Sequence, residues 1–151
     1  MSESLKQRLQ QDMKAAMRSK QGERLGAIRL IMAAIKQREV DERIELDDAQ
    51  IIEVLSKMVK QRKDSLEQYQ QAGRQDLADV ESAELALLGE YLPPAMATDE
   101  LAAIIDEVIA ATGAESPRDM GKVMAQLKPR IQGRADMAVV SGMIKERLSG
   151  S

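Results

Sequence analysis

Apolar residues recur at three- and four-residue steps along almost the whole chain, and no stretch sustains a two-residue alternation. A helix gathers positions i, i+3 and i+4 on one side, whereas a strand gathers every second residue, so this period commits the chain to helices. Strong helix formers dominate and β-branched runs are short, which favours the same backbone. The expected fold class is all-α.

The punctuation between the apolar stripes divides them into elements. Ser4 and Gln7 have capping-box spacing, predicting a helix start near Ser4 with Leu5, Leu9, Met13 and Met17 on one face and Gly22 as its stop. A second helix should carry Leu25, Ile28, Met32 and Ile35 to about Asp41. Asp47 or Asp48 then caps a third, striped by Ile51, Ile52, Leu55, Met58, Val59, Leu66 and Tyr69 and ended by Gly73. A fourth is expected from about Asp76 to Tyr91.

Pro93 and Pro94 cannot extend that helix, and the uncharged stretch Pro93 to Ala97 has no strong periodicity, which places a linker there. The expected domains are residues 1–94, of about four helices, and 95–151, a three-helix bundle. In the second, Thr98 is read as a helix cap with Asp99 and Glu100 in the first turn, ahead of Leu101, Ile104, Ile105, Val108 and Ile109. Ser116 and Pro117 open the next helix, with Met120, Val123, Met124 and Leu127. Pro129 and Gly133 are expected to break the chain before Asp136 caps a last helix bearing Val139, Val140, Met143, Ile144 and Leu148.

Composition removes most chemistry. The chain contains neither Cys nor His, so thiolate or imidazole metal sites, Cys nucleophiles and Ser-His-Asp triads are excluded. Tyr69 and Tyr91 are its only aromatics, too few for a base-stacking platform. Glu81 with Glu84 and Asp106 with Glu107 are the carboxylate pairs, but no nucleophile or phosphate loop accompanies them, and helix-surface charge is the expected role. The ten Met residues are expected to fill core gaps. No catalytic residue, cofactor or metal is expected. No apolar run reaches 18 residues and Ser2 to Lys6 lacks a signal-peptide pattern, so the expectation is no membrane and a cytoplasmic location.

Charge is arranged in blocks. Residues 1–38 hold nine basic and three acidic side chains, 39–56 one and seven, 57–63 four basic, and 64–92 one and seven. Pairing between neighbouring antiparallel helices explains such alternation. Residues 98–115 hold five acidic and no basic side chains, and 116–151 seven basic and three acidic. Lys122, Lys128, Arg130 and Arg134 are the candidate phosphate contacts, three of them close to a turn containing Pro129 and Gly133. Gly121 and Gly133 offer close backbone approach.

Several separated motifs carry a family resemblance: Arg24-Leu25, Arg29, Ala33 to Lys36, Lys57 to Arg62, Tyr69, Ala72-Gly73-Arg74, Asp76-Leu77-Ala78, Glu81, Glu84, Tyr91-Leu92-Pro93, Met120 to Met124 and Gly133 to Asp136. Together they resemble the GatB/YqeY family over nearly the whole chain. The resemblance implies an N-terminal helical domain followed by one similar to the tail of the B subunit of the glutamine-dependent aminoacyl-tRNA amidotransferase. In that enzyme the tail engages tRNA, and the cradle domain that activates the misacylated tRNA end and carries metal and ATP sites has no counterpart in these 151 residues without His or Cys. Of the matched tail residues, Lys122 and Arg134 are left as tRNA contacts once Met120, Val123 and Met124 are assigned to the core and Asp136 to a cap.

The reading is a non-catalytic tRNA-associated helical module, working beside a translation or amidotransferase protein. The alternatives are a protein-interaction adaptor, whose charge blocks select the partner, and an amidotransferase accessory. Family association alone would give the last a carbon–nitrogen ligase role with glutamine as amide donor.

Overall fold

The computed structural model describes residues 3–149, and among them every regular element is helical. The chain forms two compact units that divide between Leu92 and Pro93.

The N-terminal unit contains α1 (Leu5–Arg18), α2 (Gly22–Glu42), α3 (Asp48–Gln71) and α4 (Gln75–Tyr91). Local chemistry sets two of the starts. Ser4 and Gln7 form a reciprocal capping box on α1, and Asp47 does the same with Gln50 on α3. Asp48 reaches back to accept the Leu5 N–H at 3.0 Å, satisfying a donor at the start of α1 from another helix. Gly73, at φ +72°, closes α3 in the left-handed region that glycine enters without penalty.

The core of this unit is built on Leu9, Ile28, Ile31, Ile51, Leu55 and Leu88, all almost fully buried. Truncating one of these to Ala removes about 2–5 kcal/mol. The α1 stripe differs from its expected course, because Met17 is exposed and Ala16 is buried. Steps of four residues drift about 40° each at 100° per residue, so Met17 has rotated away, while Ala16, seven residues after Leu9, returns to within about 20°.

Gly22 does not end α1. That helix stops at Arg18, Lys20 takes the left-handed conformation at φ 57°, and Gly22 begins α2. The α2 helix also ends without glycine, on Arg43 at φ 57° and ψ 42°.

The C-terminal unit contains α5 (Thr98–Thr112), a 3₁₀ turn (Pro117–Asp119), α6 (Met120–Ile131) and α7 (Met137–Ser149). Leu101, Ile105, Val108, Val123, Leu127, Ile131, Val140, Ile144 and Leu148 form its core. Ala97 occupies the N-cap of α5 without a side-chain hydrogen bond, so Thr98 is the first helical residue and not the cap. Val139 lies on the solvent side of α7, 54% exposed, because Val140 and Ile144 take the core-facing positions. Asp136 accepts the Ala138 N–H at 2.9 Å at the start of that helix.

Pro129 does not break the chain and lies inside α6. The helix continues because Gln132 still donates to the Lys128 carbonyl at 3.0 Å and Ile131 is fully buried, contributions that offset the hydrogen bond proline cannot make. The break comes at Gly133, φ +77°.

Candidate functional site

The expected phosphate contacts are spread along α6 and the turn after it, from Lys122 in its first turn to Lys128 and Arg130 in its last and Arg134 beyond it. Lys122 is in the first turn of α6, 68% exposed, with its ammonium 3.9 Å from Asp119. That carboxylate also accepts the backbone N–H groups of Glu115 and Ser116, which hold its pKa below the ordinary aspartate value. Lys128 is exposed and forms no ion pair among the described residues. At 100° per residue, Lys122 and Lys128 differ by about 120° around the axis, and Lys128 and Arg130 by about 160°. The helix therefore aims these three cations in different directions.

The two arginines are engaged within their own unit. Arg130 meets Glu107 of α5 through both terminal nitrogens, at 3.2 and 3.3 Å. Arg134 donates from Nε to the Pro94 carbonyl at 3.1 Å and lies 3.7 Å from Glu100, while its own carbonyl accepts the Met96 N–H at 2.8 Å. Arg134 thus straps residues 94–96 to the turn after α6. Asp106 similarly meets Arg147, so both members of the Asp106–Glu107 pair face cations. A Cβ at Gly121 would meet nothing within 4 Å, so no packing within the chain demands glycine there.

In the N-terminal unit the charge blocks pair as their alternation predicts. Lys6 of α1 meets Glu39 of α2, Arg38 of α2 meets Glu53 of α3, and Arg24 of α2 meets Glu90 of α4. Between α3 and α4, Arg62 lies 3.6 Å from Glu81 and 2.9 Å from Glu84. Glu81 is only 8% exposed, and the Oε2 atoms of both glutamates lack an aligned hydrogen bond. This Glu81–Glu84 pair is therefore a half-satisfied ionic cluster around one cation and not two solvated surface charges.

Sequence reasoning did not find a groove of about 700 Å³ in this unit, between α1 and the second half of α2. Leu9 and Ile35 of the core form its floor, Met32, Lys36 and Val40 one wall, Lys6 and Gln10 the other, and Arg43 to Glu45 its end. Glu39 accepts from Lys6 at 2.5 Å and from the Leu46 N–H at 2.9 Å, and these bonds hold its carboxyl below the ordinary value. The one available signal was Val40 and Ile44 at the polar end of α2, where neither belonged to the helix's core stripe; they are 59% and 40% exposed.

Among the described residues, no three Asp or Glu side chains group closely enough to hold a metal ion, and no helix is long and apolar enough to cross a membrane.

Residues 6–148 match the family described as "Yqey-like protein". The chain belongs to that family. Its members include relatives named "Altered inheritance of mitochondria protein 41, mitochondrial". The one from Eremothecium gossypii is 37% identical over 101 residues, 65% of this chain and 55% of its own length. That from Pyrenophora tritici-repentis is 32% identical over 142 residues, 92% of this chain and 78% of its own. The Kluyveromyces lactis protein is 29% identical over 140 residues, 91% and 72% respectively. The matched stretch thus spans from about half to about three quarters of these relatives. Family membership covers both helical units, because the match runs from α1 into α7.

Proposed function

We propose that this YqeY-like chain is a non-catalytic, tRNA-associated helical module whose C-terminal unit contacts backbone phosphates. The observation that carries the reading is the imbalance after residue 115, seven basic against three acidic side chains, with Lys122 and Lys128 projecting into solvent. Long cationic side chains neutralise phosphates without reading bases. With two tyrosines in the whole chain, stacking contributes little. Arg130 and Arg134 join such a contact by exchanging Glu107 and Glu100 for phosphate.

The similarity to the tail of the amidotransferase B subunit makes tRNA the expected nucleic acid and a translation or amidotransferase component the expected neighbour. Without Cys or His the chain has no Cys-His or Ser-His-Asp system, and the proposal includes no carbon–nitrogen ligase step. A cytoplasmic location is part of the same proposal. Recovery from cell extract tests the reading: tRNA that co-purifies with the full chain and is lost on RNase treatment supports it.

One observation favours the adaptor alternative. The Arg130–Glu107, Arg134–Glu100 and Lys122–Asp119 pairs already set three of the four proposed cations against a carboxylate. In that reading the basic surface meets an acidic protein, and the partner remains bound after RNase treatment.

A further inference from the structure

We propose that the groove between α1 and α2 is the docking site for an amphipathic helix of a partner protein, one that presents an aliphatic row flanked by acidic side chains. This surface belongs to the N-terminal unit and is used by neither reading of the C-terminal one. Val40 and Ile44 lie beside the polar end of α2, yet both project into solvent at the groove's rim, above the buried Leu9 and Ile35. Along α2 from Met32 to Val40 the wall rises about 12 Å at 1.5 Å per residue, a little over two turns, which matches a docked helix with anchors at i, i+3 or i+4, and i+7.

The charges decide which helix fits. Of the carboxylates lining the groove, Glu39 is held by Lys6 and by the Leu46 N–H, and Glu45 lies 3.6 Å from the same ammonium. Lys36 and Arg43 form no ion pair among the described residues. With Lys6, the lining carries three cations against these two carboxylates, a net charge of +1 that acidic flanks complement. Arg43 adds a second indication. It ends α2 in the left-handed region, where glycine would be the relaxed choice, and so a cationic side chain is kept at the mouth of the groove in a conformation that penalises side chains.

The test titrates the full chain with a fluorescent synthetic helix of about 14 residues, roughly four turns, carrying Leu at helical spacing and Glu on its flanks. A twin peptide has every Glu replaced by Lys. The expected result is at least about tenfold tighter binding of the acidic peptide, and a further loss of about tenfold or more on Val40→Asp. Arg43→Gly should weaken binding several-fold while the protein melts at the same or a higher temperature, a separation that a purely structural role for Arg43 would not produce. Val80→Asp, at an exposed apolar residue outside the groove, should change nothing.

Equal affinity for the two peptides, or no response to Val40→Asp with helicity intact, overturns the proposal. So does decanoate binding that Val40→Asp abolishes while neither peptide binds, which would make the groove a small-amphiphile site. Concentration-dependent dimerisation abolished by Val40→Asp overturns it in favour of a second copy of this chain.

Discussion

The hydroxyl of Tyr91, the last residue of α4, donates to the Asp12 carboxylate of α1, 79 positions earlier in the chain. Arg8, one turn before Asp12, lies 4.6 Å from the centre of the Tyr91 ring and donates to the Glu90 carbonyl. Glu90 in turn meets Arg24 of α2. One aromatic ring thus ties the first, second and fourth helices together through its face, its edge and its neighbour.

Tyr91→Phe keeps the packing and removes the donor, leaving Asp12 partly buried without it. A hydrogen bond to a charged group contributes about 1.5–3 kcal/mol, and urea unfolding at neutral pH should show a loss near the lower end of that range. Burial, followed by the bond to Asp12, raises the phenol pKa above its ordinary value of 10.0. The folded state therefore holds its proton after the unfolded chain has released it. This contribution is complete below about pH 10 and declines above it by about 1.4 kcal/mol per pH unit. The difference in stability between wild type and Tyr91→Phe should shrink across that alkaline range.

Arg62 is the only cation within ion-pair distance of Glu81 and Glu84 among the described residues. Arg62→Met should destabilise by about 3 kcal/mol, because removing one partner leaves buried carboxylates uncompensated. Adding Glu81→Gln and Glu84→Gln to that variant should recover a large part of the loss. A mutant cycle in urea measures both. An additive result, with no recovery, would remove the cluster from the account.

Glu39 gives an acid-side signature. Its carboxyl is held below the ordinary value of 4.5, chiefly by Lys6 and then by the Leu46 N–H. The stability it contributes is present above about pH 4.5 and is lost as pH falls through its lowered folded value. Glu39→Gln should melt earlier than wild type at neutral pH, and the two melting temperatures should converge as the solution is acidified. Parallel curves down to the acid transition would contradict this.

What the sequence revealed and what it concealed separate by distance along the chain. The Ser4–Gln7 cap was legible because it is complete within four residues, whereas at the start of α3 the sequence left Asp47 and Asp48 both open and the fold uses Asp47, with Gln50, as the cap. Pro129 misled because the burial of Ile131, a tertiary term, outweighs a local breaker. Gly22 misled because Lys20 takes the strained turn position that glycine usually fills. Pairing between charge blocks was legible, but the groove was not, since it depends on Lys6 of α1 approaching Glu39 of α2. For the expected phosphate contacts, composition gave their sign but not the acidic partners that Arg130 and Arg134 meet on the neighbouring helix.

Those partners have a consequence for tRNA binding. Glu107→Gln releases Arg130 from its carboxylate. Affinity for tRNA at low salt should therefore rise several-fold, because Arg130 no longer gives up a carboxylate to reach its phosphate, while the number of phosphate contacts and hence the salt slope stay the same. Unchanged affinity would mean that Arg130 does not face the RNA.

The most direct test of the proposed tRNA association is the slope of log affinity against log salt, measured for wild type and for the variant with Lys122, Lys128, Arg130 and Arg134 all replaced by Ala. Four phosphate contacts at roughly 0.7–0.9 each predict that the variant's slope is shallower by about three to four units, for tRNAs of unrelated sequence alike. No binding by wild type even at low salt, or a variant with intact helices that keeps the wild-type slope, would contradict the account.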